Sequence, residues 1–524
     1  MRRFLYTTSA LALALMAGPA LAADTGADMA RQIQALQEQL RTMQQQLDAL
    51  KASDAANREA LAQETATREA AVKAERDANL ASGGQNVFEN GTVKMVPPAN
   101  PKTAESATHR FAMTSADGTW SIAPTGRIHF DVGGFVRQDA EGTTGPGTAA
   151  GGKLSSGINA RRARLGITGK AMNDFTYTLI LDAGGGSGDG AATINETRFG
   201  YTGIRNTVIE IGYGSQYFTL EEATSSNDIM FLERSSPTTL ATNFNSGDPR
   251  GAVGFRTWEN NWWFGAYLTS SAPNVTHSLT NRGFGAYERF TYQPFQTELT
   301  SLHVGVSSAQ VFEIPNTGPG TAASFTMNDR PENRIDGTSL LNTGPLGTVA
   351  NPVTGVQVYD FETAAAYGSL FYQGEYFHYV VDRRGKPKAQ FDGAYAQISY
   401  TIGGRRIYTP ATGAYSGINP ITPFSPKTGG MGAFEFGARI SYVDLVDHYN
   451  SSLPALAQPN MVNGGRQTNY TAALNWFWNS NMLVKLDYIH TNIDKANPIA
   501  TAGAIPTGAG LKLDAVVARF QAMF

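Results

Sequence analysis

From Gly126 onward, the sequence alternates between short segments with a strand-like pattern and turns rich in Gly, Asn, Asp and Pro. Sixteen such segments can be delimited, and they begin near residues 127, 159, 174, 193, 206, 250, 261, 283, 300, 356, 369, 389, 432, 466, 481 and 511. An even number of antiparallel strands is typical of a barrel that closes on itself in a bacterial membrane. The sequence therefore predicts an all-β transmembrane barrel of 16 antiparallel strands over residues 126–524.

The lengths of the connections support this prediction and orient the barrel. Long connections, such as 140–157 and 215–249, alternate with short ones, such as 172–173 and 259–260. Long extracellular loops and short periplasmic turns produce this rhythm, and both ends of the barrel segment then lie in the periplasm. The connection over 403–430 breaks the rhythm, because it is long where a short turn is expected.

The two faces of the predicted strands differ in polarity. In the first strand Ile128 and Phe130 share one face, while Arg127 and His129 share the other. Side chains alternate along a strand, so we expect the apolar set to meet lipid and the polar set to line water. A water-soluble β-sandwich also alternates, but it needs neither an export signal nor sixteen strands with aromatic residues such as Trp476 near their ends.

The first residues have the pattern of an export signal. Two arginines precede an apolar stretch over 4–16, and a run of small residues follows at 20–22. This order is typical of a secretory signal peptide over residues 1–22. A membrane anchor is the alternative, but the stretch is short and is interrupted by Thr and Ser. The alternating strand that finishes in Phe524 resembles the assembly signal of outer-membrane barrels, so we expect the protein in the Gram-negative outer membrane.

Within residues 23–80, which we interpret as a coiled-coil segment, the apolar positions from 29 to 50 have the alternating spacing of four and three that is typical of a coiled coil, and the spacing is lost from about residue 54. Heptad position a is occupied by Ile33, Leu40 and Leu47, and position d by Met29, Leu36, Met43 and Leu50. We expect a periplasmic coiled coil with copies of this chain, because an isolated helix of this length is marginal in water. A single amphipathic helix lying on its own barrel is the alternative. Residues 81–125, which include several prolines, are interpreted as a linker.

Other classes of function find little support in the residues. Cysteine is absent, no pair of the 7 histidines has a metal-ligand spacing, and no nucleophile stands in a recognisable catalytic motif. We therefore predict no enzyme, no catalytic residue, no metal, no cofactor and no nucleic-acid partner.

Several stretches carry a resemblance to a known family. They are Gly126–Asp131 (GRIHFD), Arg161–Gly166 (RRARLG), Phe218–Arg234 (FTLEEATSSNDIMFLER), Gly437–Tyr442 (GARISY) and Leu474–Phe477 (LNWF). Together they resemble the phosphate-selective porins O and P of Gram-negative outer membranes, over residues 126–524. The resemblance implies a homotrimer of sixteen-stranded barrels in outer-membrane lipid, with each pore narrowed by the third extracellular loop, here residues 215–249. It also implies that the long connection over 403–430 is a family trait.

Selectivity depends on where charges lie, because Lys and Arg number 41 against 44 Asp and Glu. Strand alternation points arginines into the lumen, and one more lies in the third loop. The predicted pore-lining and anion-binding set is Arg127, Arg137, Arg162, Arg164, Arg198, Arg234, Arg256, Arg289 and Arg439. Guanidinium groups stay charged and offer planar donors to phosphate or carboxylate oxygens. Acids such as Asp131 and Glu210 could instead neutralise these arginines within the wall. Arg161 is expected to face outward, since it shares parity with Ala163.

The third loop departs from what a tight phosphate site uses in this family, because residues 215–249 contain no lysine. Residues 312–352 contain Arg330 and Arg334 but no lysine. The sequence therefore predicts a channel for passive diffusion of small hydrophilic solutes, with a preference for phosphate or other small anions. Two alternatives stay open: a general, dicarboxylate or sugar diffusion porin without a phosphate site, and a barrel with a mainly structural, envelope-tethering role.

Overall fold

The computed structural model describes residues 111–524 apart from 141–152, 185–191, 245–248, 271–282, 317–319, 451, 454–456 and 496–509. Before residue 111 it describes a helical stretch over 40–49, a few single residues, and the short strands Val87–Glu89, Thr92–Lys94 and Lys102–Ala104. The chain divides into two compact units, Met1–Ala99 and Asn100–Phe524. Within these described residues, helices that combine the length and the apolar character needed to cross a membrane are not found.

The second unit contains a closed barrel of antiparallel strands. In chain order the strands are β1 Ser121–Ala140, β2 Gly157–Ala171, β3 Phe175–Asp182, β4 Thr193–Tyr201, β5 Thr207–Gly214, β6 Arg250–Glu259, β7 Trp262–Ser270, β8 Phe284–Gln296, β9 Thr300–Glu313, β10 Val353–Tyr367, β11 Leu370–Arg383, β12 Ala389–Ile402, β13 Ala433–Asp447, β14 Val462–Phe477, β15 Met482–Asp494 and β16 Leu511–Met523. Strand β16 pairs with β1 and completes the ring. The prediction of a sixteen-stranded barrel is confirmed, and each predicted start except the first lies close to an observed one.

The first strand begins earlier than the sequence indicates, at Ser121. The short strand Ala112–Thr114 pairs with the beginning of β1, and it also pairs with Lys102–Ala104. Part of the segment interpreted as a linker therefore extends the sheet.

Alternation along the strands sorts side chains between the outer face and the interior. On β1, Ile128, Phe130 and Val132 are exposed on the outer face, whereas His129 and Asp131 are buried inside. A bilayer requires this arrangement, because the closed ring satisfies every strand's backbone groups and the apolar side chains then face hydrocarbon.

Three connections fold into the barrel and occupy much of its interior. We call them L3 (residues 215–249), L5 (residues 314–352) and T6 (residues 403–432). L3 contains helices α1 Leu220–Ala223 and α2 Ser236–Thr242, L5 contains the strand pair Asn328–Asp329 with Leu341–Asn342, and T6 contains the pair Tyr408–Thr409 with Ala414–Tyr415. L3 and L5 enter from the end that carries the long loops, and T6 enters from the end that carries the short turns. The long 403–430 connection is thus an element of the interior.

The apolar core lies inside the barrel, between the inward-folded loops and the wall. Phe218 and Leu240 of L3 belong to one buried cluster with Tyr287, Phe377 and Tyr395 of strands β8, β11 and β12. A second cluster joins residues of L3 and T6 to β10, β11 and β14; it includes Leu220, Met230, Phe231, Tyr408, Tyr415, Ala364, Phe371 and Ala473. The side of the lumen next to β8–β14 is therefore packed with protein.

The wall is uneven in height. Strands β3 to β7 have 8, 9, 8, 10 and 9 residues. Strands β8 to β16 have 13 to 16 residues. One sector of the barrel is therefore much shorter than the rest.

The first unit is described in part. Residues 40–49 are helical, and Leu40, Met43 and Leu47 of the predicted heptad seam are 56%, 49% and 53% exposed. The signal peptide and most of the seam lie outside the described residues, so the coiled coil stays a prediction.

Candidate functional site

L3 is held against the inner wall through its backbone. Side chains of the wall and of T6 donate to successive L3 carbonyls: Gln521 to Asn227 O, Arg406 to Asp228 O, Lys485 to Ile229 O, Asn475 to Met230 O, Arg519 to Leu232 O and Arg439 to Glu233 O. The amide of Leu232 donates to Asp487 at 2.9 Å. Because a buried carbonyl without a donor is costly, this row of donors fixes the path of L3 over residues 227–233.

The start of α1 is fixed by a wall carboxylate. Glu375 of β11 accepts the amides of Leu220 and Glu221 at 2.6 and 3.1 Å. These amides have no partner inside the helix, so a carboxylate at this end satisfies them. Locally, Thr219 caps α1 by accepting the amide of Glu222 at 3.0 Å.

Three neighbouring carboxylates lie at this contact and could in principle hold a cation. Asp360, Glu362 and Glu375 have oxygens within 4.8 Å of one another and are buried. Glu362 already accepts from Arg289 and from His303, at 2.9 and 2.8 Å. Glu375 is occupied by the L3 amides, so Glu362 and Glu375 serve the attachment of the inner loops, while Asp360 accepts from Ser307 of β9 at 3.1 Å.

The space left open by the loops forms three cavities, of which the central one lies beside strands β1–β5 and the one at the turn end lies between β1 and the β14–β16 side of the wall. A central cavity of about 590 Å³ is bounded by β1–β5, L3 and T6. A cavity of about 300 Å³ toward the loop end is bounded by β2, L3 and L5, and it shares Arg161 with the central cavity. A cavity of about 560 Å³ toward the turn end shares Arg127 with the central one. The three cavities define a candidate path through the barrel.

Arginines dominate the charged lining of this path. The central cavity is lined by Arg127, Arg161, Arg162, Arg164, Arg198 and Arg234, and by the acids Asp182, Glu196 and Glu222. The cavity at the loop end adds Arg330, Arg334 and Asp329, and the one at the turn end adds Asp228. Cations therefore outnumber acids in the first two cavities. A low-dielectric wall strengthens the field of these cations on a passing anion.

Several of these arginines are paired with acids. Arg164 contacts Asp182 at 2.7 Å, and Arg334 contacts Asp329 at 3.2 Å. Arg198 lies 3.6 Å from Glu210, which also binds Arg256 at 2.6 Å. These pairs fix the side chains and neutralise part of their charge.

Glu233 of L3 anchors a cluster of guanidinium groups. It accepts two bonds from Arg161, at 2.7 and 3.0 Å, and one from Arg519 at 2.7 Å. Arg162 approaches it at 3.8 Å. Burial opposes the ionisation of Glu233, yet these arginines hold the pKa of its carboxyl well below the usual range. The cluster therefore keeps a net positive charge beside the path.

Three arginines on the path form no ion pair among the described residues. Arg127 donates to the hydroxyl of Ser226 at 2.7 Å, and Arg234 donates to the carbonyls of Glu221, Glu222 and Thr224 at 3.1 to 3.3 Å. Arg330 lines the cavity at the loop end, where burial and nearby Arg334 lower the pKa of its guanidinium. One such arginine thus lies at each level of the path, which makes them the strongest candidates for attracting anions.

The structure divides the predicted set of lumenal arginines. Arg127, Arg162, Arg164, Arg198 and Arg234 all line the central cavity. The remaining four arginines of the set do not line any of the three cavities.

The expectation for Arg137 is wrong because β1 contains a bulge. Phe135 pairs with Ala515 and Arg137 with Asp514, so Val136 is an extra residue that reverses the parity. Arg137 therefore lies on the outer wall, 3.5 Å from Asp514, with 45% of its side chain exposed.

Arg256, Arg289 and Arg439 do point inward, but the loops cover them. Arg289 is fully buried against Glu362 and T6, and Arg439 is buried against Glu332 of L5 and L3. Arg256 lies over the ring of Tyr217, 4.4 Å from its centroid. These three side chains hold the inner loops, and the expectation that they line open water is wrong.

Arg161 differs in the opposite direction, because it is expected to face outward and it faces the lumen. His129 pairs with Arg162 and Phe130 with Ala160, so Arg161 is an extra residue in β2 and turns inward with Arg162. Its predicted outward orientation is wrong for this reason. Sequence reasoning also did not propose Arg330, whose lumenal place depends on the fold of L5.

A closed barrel of sixteen antiparallel strands, with a polar path beside an inward-folded third loop, is the architecture of an outer-membrane porin. The chain belongs to the phosphate-selective porin O and P family, whose model matches residues 125–524. A relative from Caulobacter vibrioides, described as an uncharacterized protein, is 26% identical over 415 residues, which cover 77% of this chain and 75% of the relative.

Three solved porins match this chain at low sequence identity and with TM-scores below 0.5. An anion-selective porin from Comamonas acidovorans has a TM-score of 0.44 and 12% identity, over 77% of this chain and 100% of that chain. The outer membrane channel DcaP of Acinetobacter baumannii has a TM-score of 0.43 and 9% identity, over 77% and 97%. OmpT of Vibrio cholerae, in its trimer form, has a TM-score of 0.42 and 11% identity, over 78% and 100%.

Proposed function

We propose that this porin is a channel for passive diffusion that prefers small anions, phosphate among them. The observation that carries the proposal is the excess of arginines over acids along the central and loop-end cavities, with Arg127, Arg234 and Arg330 outside any ion pair of the described residues. Fixed positive charges raise the local concentration of anions and lower that of cations.

The path suits weak binding and fast passage. The guanidinium groups follow one another through adjoining cavities, so an anion that leaves one donor meets the next. Conduction requires binding that is favourable enough for entry and weak enough for exit. The acids at Asp182 and Glu196 limit how tightly the central cavity holds its solute.

The test is the zero-current potential of the purified protein in a planar bilayer under a KCl gradient. We expect a potential of the sign for chloride permeation, together with reversible block of the chloride current by added phosphate. A potential of the cation sign, or one indistinguishable from that of free KCl diffusion, would contradict the anion preference.

A dicarboxylate channel is the second candidate, because the same fork of guanidinium donors fits a carboxylate as well as a phosphate. L3 provides no lysine that would add a compact point charge for phosphate. Block of the chloride current by succinate at lower concentrations than phosphate would favour this candidate.

We also propose that three copies assemble through the sector formed by β3–β7. A strand of 8 residues, tilted by about 40°, spans roughly 20 Å, less than the apolar band of about 25 Å in such barrels. This sector would be poorly matched to lipid, and neighbouring copies could cover it. Cross-linking between cysteines introduced at Ile209 and Ile211, which are exposed on β5, tests this contact. A lack of cross-links in native membranes would argue against it.

A further inference from the structure

The outer wall carries a polar site that the channel does not use. On strands β14, β15 and β16, the cross-strand neighbours Thr468, Asn492 and Lys512 form one row. These side chains lie at the edge of a cavity of about 640 Å³ that also contacts Arg137, Arg466 and His490. All of these residues alternate in register with the residues that face lipid on the same strands, so the cavity opens on the outer surface of the barrel.

The donors of the row are available to a ligand. No hydrogen bond joins Thr468, Asn492 or Lys512 to another side chain in the part of the chain that the structure describes. They offer a hydroxyl, an amide and an ammonium group side by side. A phosphate group, with several oxygens around one centre, is the chemistry that such a row fits.

Acids near the row contact the neighbouring cationic side chains Arg466, His490 and Arg137. Asp444 accepts the Nε of Arg466 at 2.8 Å, and Arg466 also lines the cavity. Asp514 accepts from His490 at 2.5 Å and lies 3.5 Å from Arg137. Asp494 also faces the cavity. Because carboxylates and cations are balanced here, recognition depends on directed donors, and a divalent cation could bridge a carboxylate to a second phosphate.

The row lies at the level of lipid headgroups. Directly toward the membrane centre, the outer face presents Tyr442, Tyr470 and Tyr488, which are 40%, 47% and 45% exposed. Tyrosines in such a band mark the boundary between hydrocarbon and headgroups. The row stands on the side of this band that carries the long loops, which is the extracellular side.

An apolar groove continues from the polar cavity toward the membrane centre. The groove, of about 580 Å³, is lined by Tyr470, Tyr488, Ile440, Ile398 and the cross-strand pair Ala438 and Ala472. The polar cavity and the groove use consecutive outward residues of the same strands, for example Thr468, Tyr470 and Ala472 on β14. The small alanines lower the surface between larger neighbours such as Tyr470 and Ile440, which leaves room for an apolar chain.

We propose that this face of β13–β16 binds a phosphorylated glycolipid of the outer leaflet. The phosphate contacts the row of Thr468, Asn492 and Lys512 with Arg466, and an acyl chain lies in the groove over Ala438 and Ala472. The hydrogen-bond donors lie on the loop side of the tyrosine band, and the apolar groove continues from them toward the membrane centre. This arrangement fits one amphiphilic ligand better than two separate ligands. The site is independent of the pore, since its residues face away from the lumen.

The experiment is native mass spectrometry of the purified protein in detergent with three probes: a bisphosphorylated acyl-diglucosamine lipid, its dephosphorylated analogue, and inorganic phosphate. We expect adducts of the phosphorylated lipid to exceed those of the analogue. The double variant Arg466→Gln/Lys512→Gln should lose adducts about tenfold, because charge-assisted hydrogen bonds are lost. Ala472→Phe, which fills the groove, should reduce lipid adducts through a separate contact.

The matched control is Arg205→Gln/Lys427→Gln, which removes the same charge from exposed positions at the turn end of the barrel. Its adducts should equal those of the parent protein. Thermal unfolding of each variant shows that the barrel is intact, and an unchanged zero-current potential separates this site from the pore. Three outcomes would overturn the proposal. They are equal lipid adducts in the double variant and the parent, binding of the dephosphorylated lipid equal to that of the phosphorylated lipid, and competition by inorganic phosphate at the same concentration as the lipid. Disulfide-linked copies of Thr468→Cys in native membranes would also overturn it, since a second copy would then cover the face.

Discussion

Neutralising Arg127 tests directly whether unpaired guanidinium groups produce the selectivity. Arg127 lies where the central and turn-end cavities meet, and its guanidinium donates to the hydroxyl of Ser226 at 2.7 Å. In Arg127→Gln the positive charge is lost while a polar side chain remains at this position. The variant therefore changes the field along the path with little change in packing.

The magnitude follows from the geometry of the path. A permeating anion that passes at about 5 Å from the guanidinium, in a water-filled cavity with an effective dielectric constant of about 60, gains about 1 kcal/mol. Loss of this interaction should lower anion permeability about fivefold and, because repulsion of cations is lost as well, should reduce the ratio of anion to cation permeability about 25-fold. The measurement is the zero-current potential across a bilayer with a KCl gradient, at low and at high salt, because screening should shrink the difference.

Two further variants serve as comparisons for Arg127→Gln. Arg205→Gln removes an exposed charge from the turn between β4 and β5, away from the cavities, and should leave the potential unchanged. Asp182→Asn removes a carboxylate that lies 2.7 Å from Arg164 in the central cavity, and should shift the potential toward greater anion preference. If Arg127→Gln leaves the potential at the parent value while Asp182→Asn moves it, Arg127 does not act on permeating ions. If neither variant moves it, the cavities described here are not the conduction path.

Three further outcomes are expected. Glu233→Gln removes the buried carboxylate that Arg161 contacts and one of the two that Arg519 contacts, since Asp131 stays 2.6 Å from Arg519. The variant should destabilise the barrel by about 3 to 5 kcal/mol, read from thermal unfolding, whereas an unchanged transition would show that L3 does not depend on this cluster. Burial raises the pKa of Asp228, so this acid takes up its proton at higher pH than an exposed Asp does. The anion preference of the channel should therefore increase from neutral toward mildly acidic pH. The variant Asp228→Asn should remove this part of the pH dependence of the zero-current potential. Arg406→Gln breaks the hydrogen bonds from T6 to Glu435 and to the carbonyl of Asp228. The variant should therefore increase current noise in single-channel records. Noise equal to that of the parent protein would count against a role of T6 in holding L3.

The strand pattern could be predicted from the sequence because each strand has one face in lipid. Along β1 the alternation of Ile128 and Phe130 with His129 and Asp131 is local information, and it is sufficient to place the strand and its parity. Errors arose where that local rule is interrupted. Single extra residues in β1 and β2 reversed Arg137 and Arg161, and no residue type in the sequence marks these bulges.

The division of arginines between path and wall could not be predicted, because it depends on contacts between distant parts of the chain. Arg439 and Arg127 look alike in sequence, since both have inward parity on strands. Arg439 is covered because L3 and L5 cross in front of it, bringing Glu332 within ion-pair distance. Arg127 stays on the path because the loops leave the β1–β5 side open. Parity decides which residues face inward, but only the folded loops decide which of them meet water.

The row of donors along residues 227–233 has a consequence for how this protein can vary. Because wall donors bind the backbone of L3, their hold does not depend on the side chains of this segment, apart from Glu233 and the buried Met230, Phe231 and Leu232, whereas it does depend on the length of the segment. Inserting or deleting one residue would move most carbonyls out of step with Gln521, Asn475, Arg519 and Arg439 at once. Diversification of this pore is therefore expected by substitution within L3, and changes of loop length should be confined to the parts of L3 that this row does not hold.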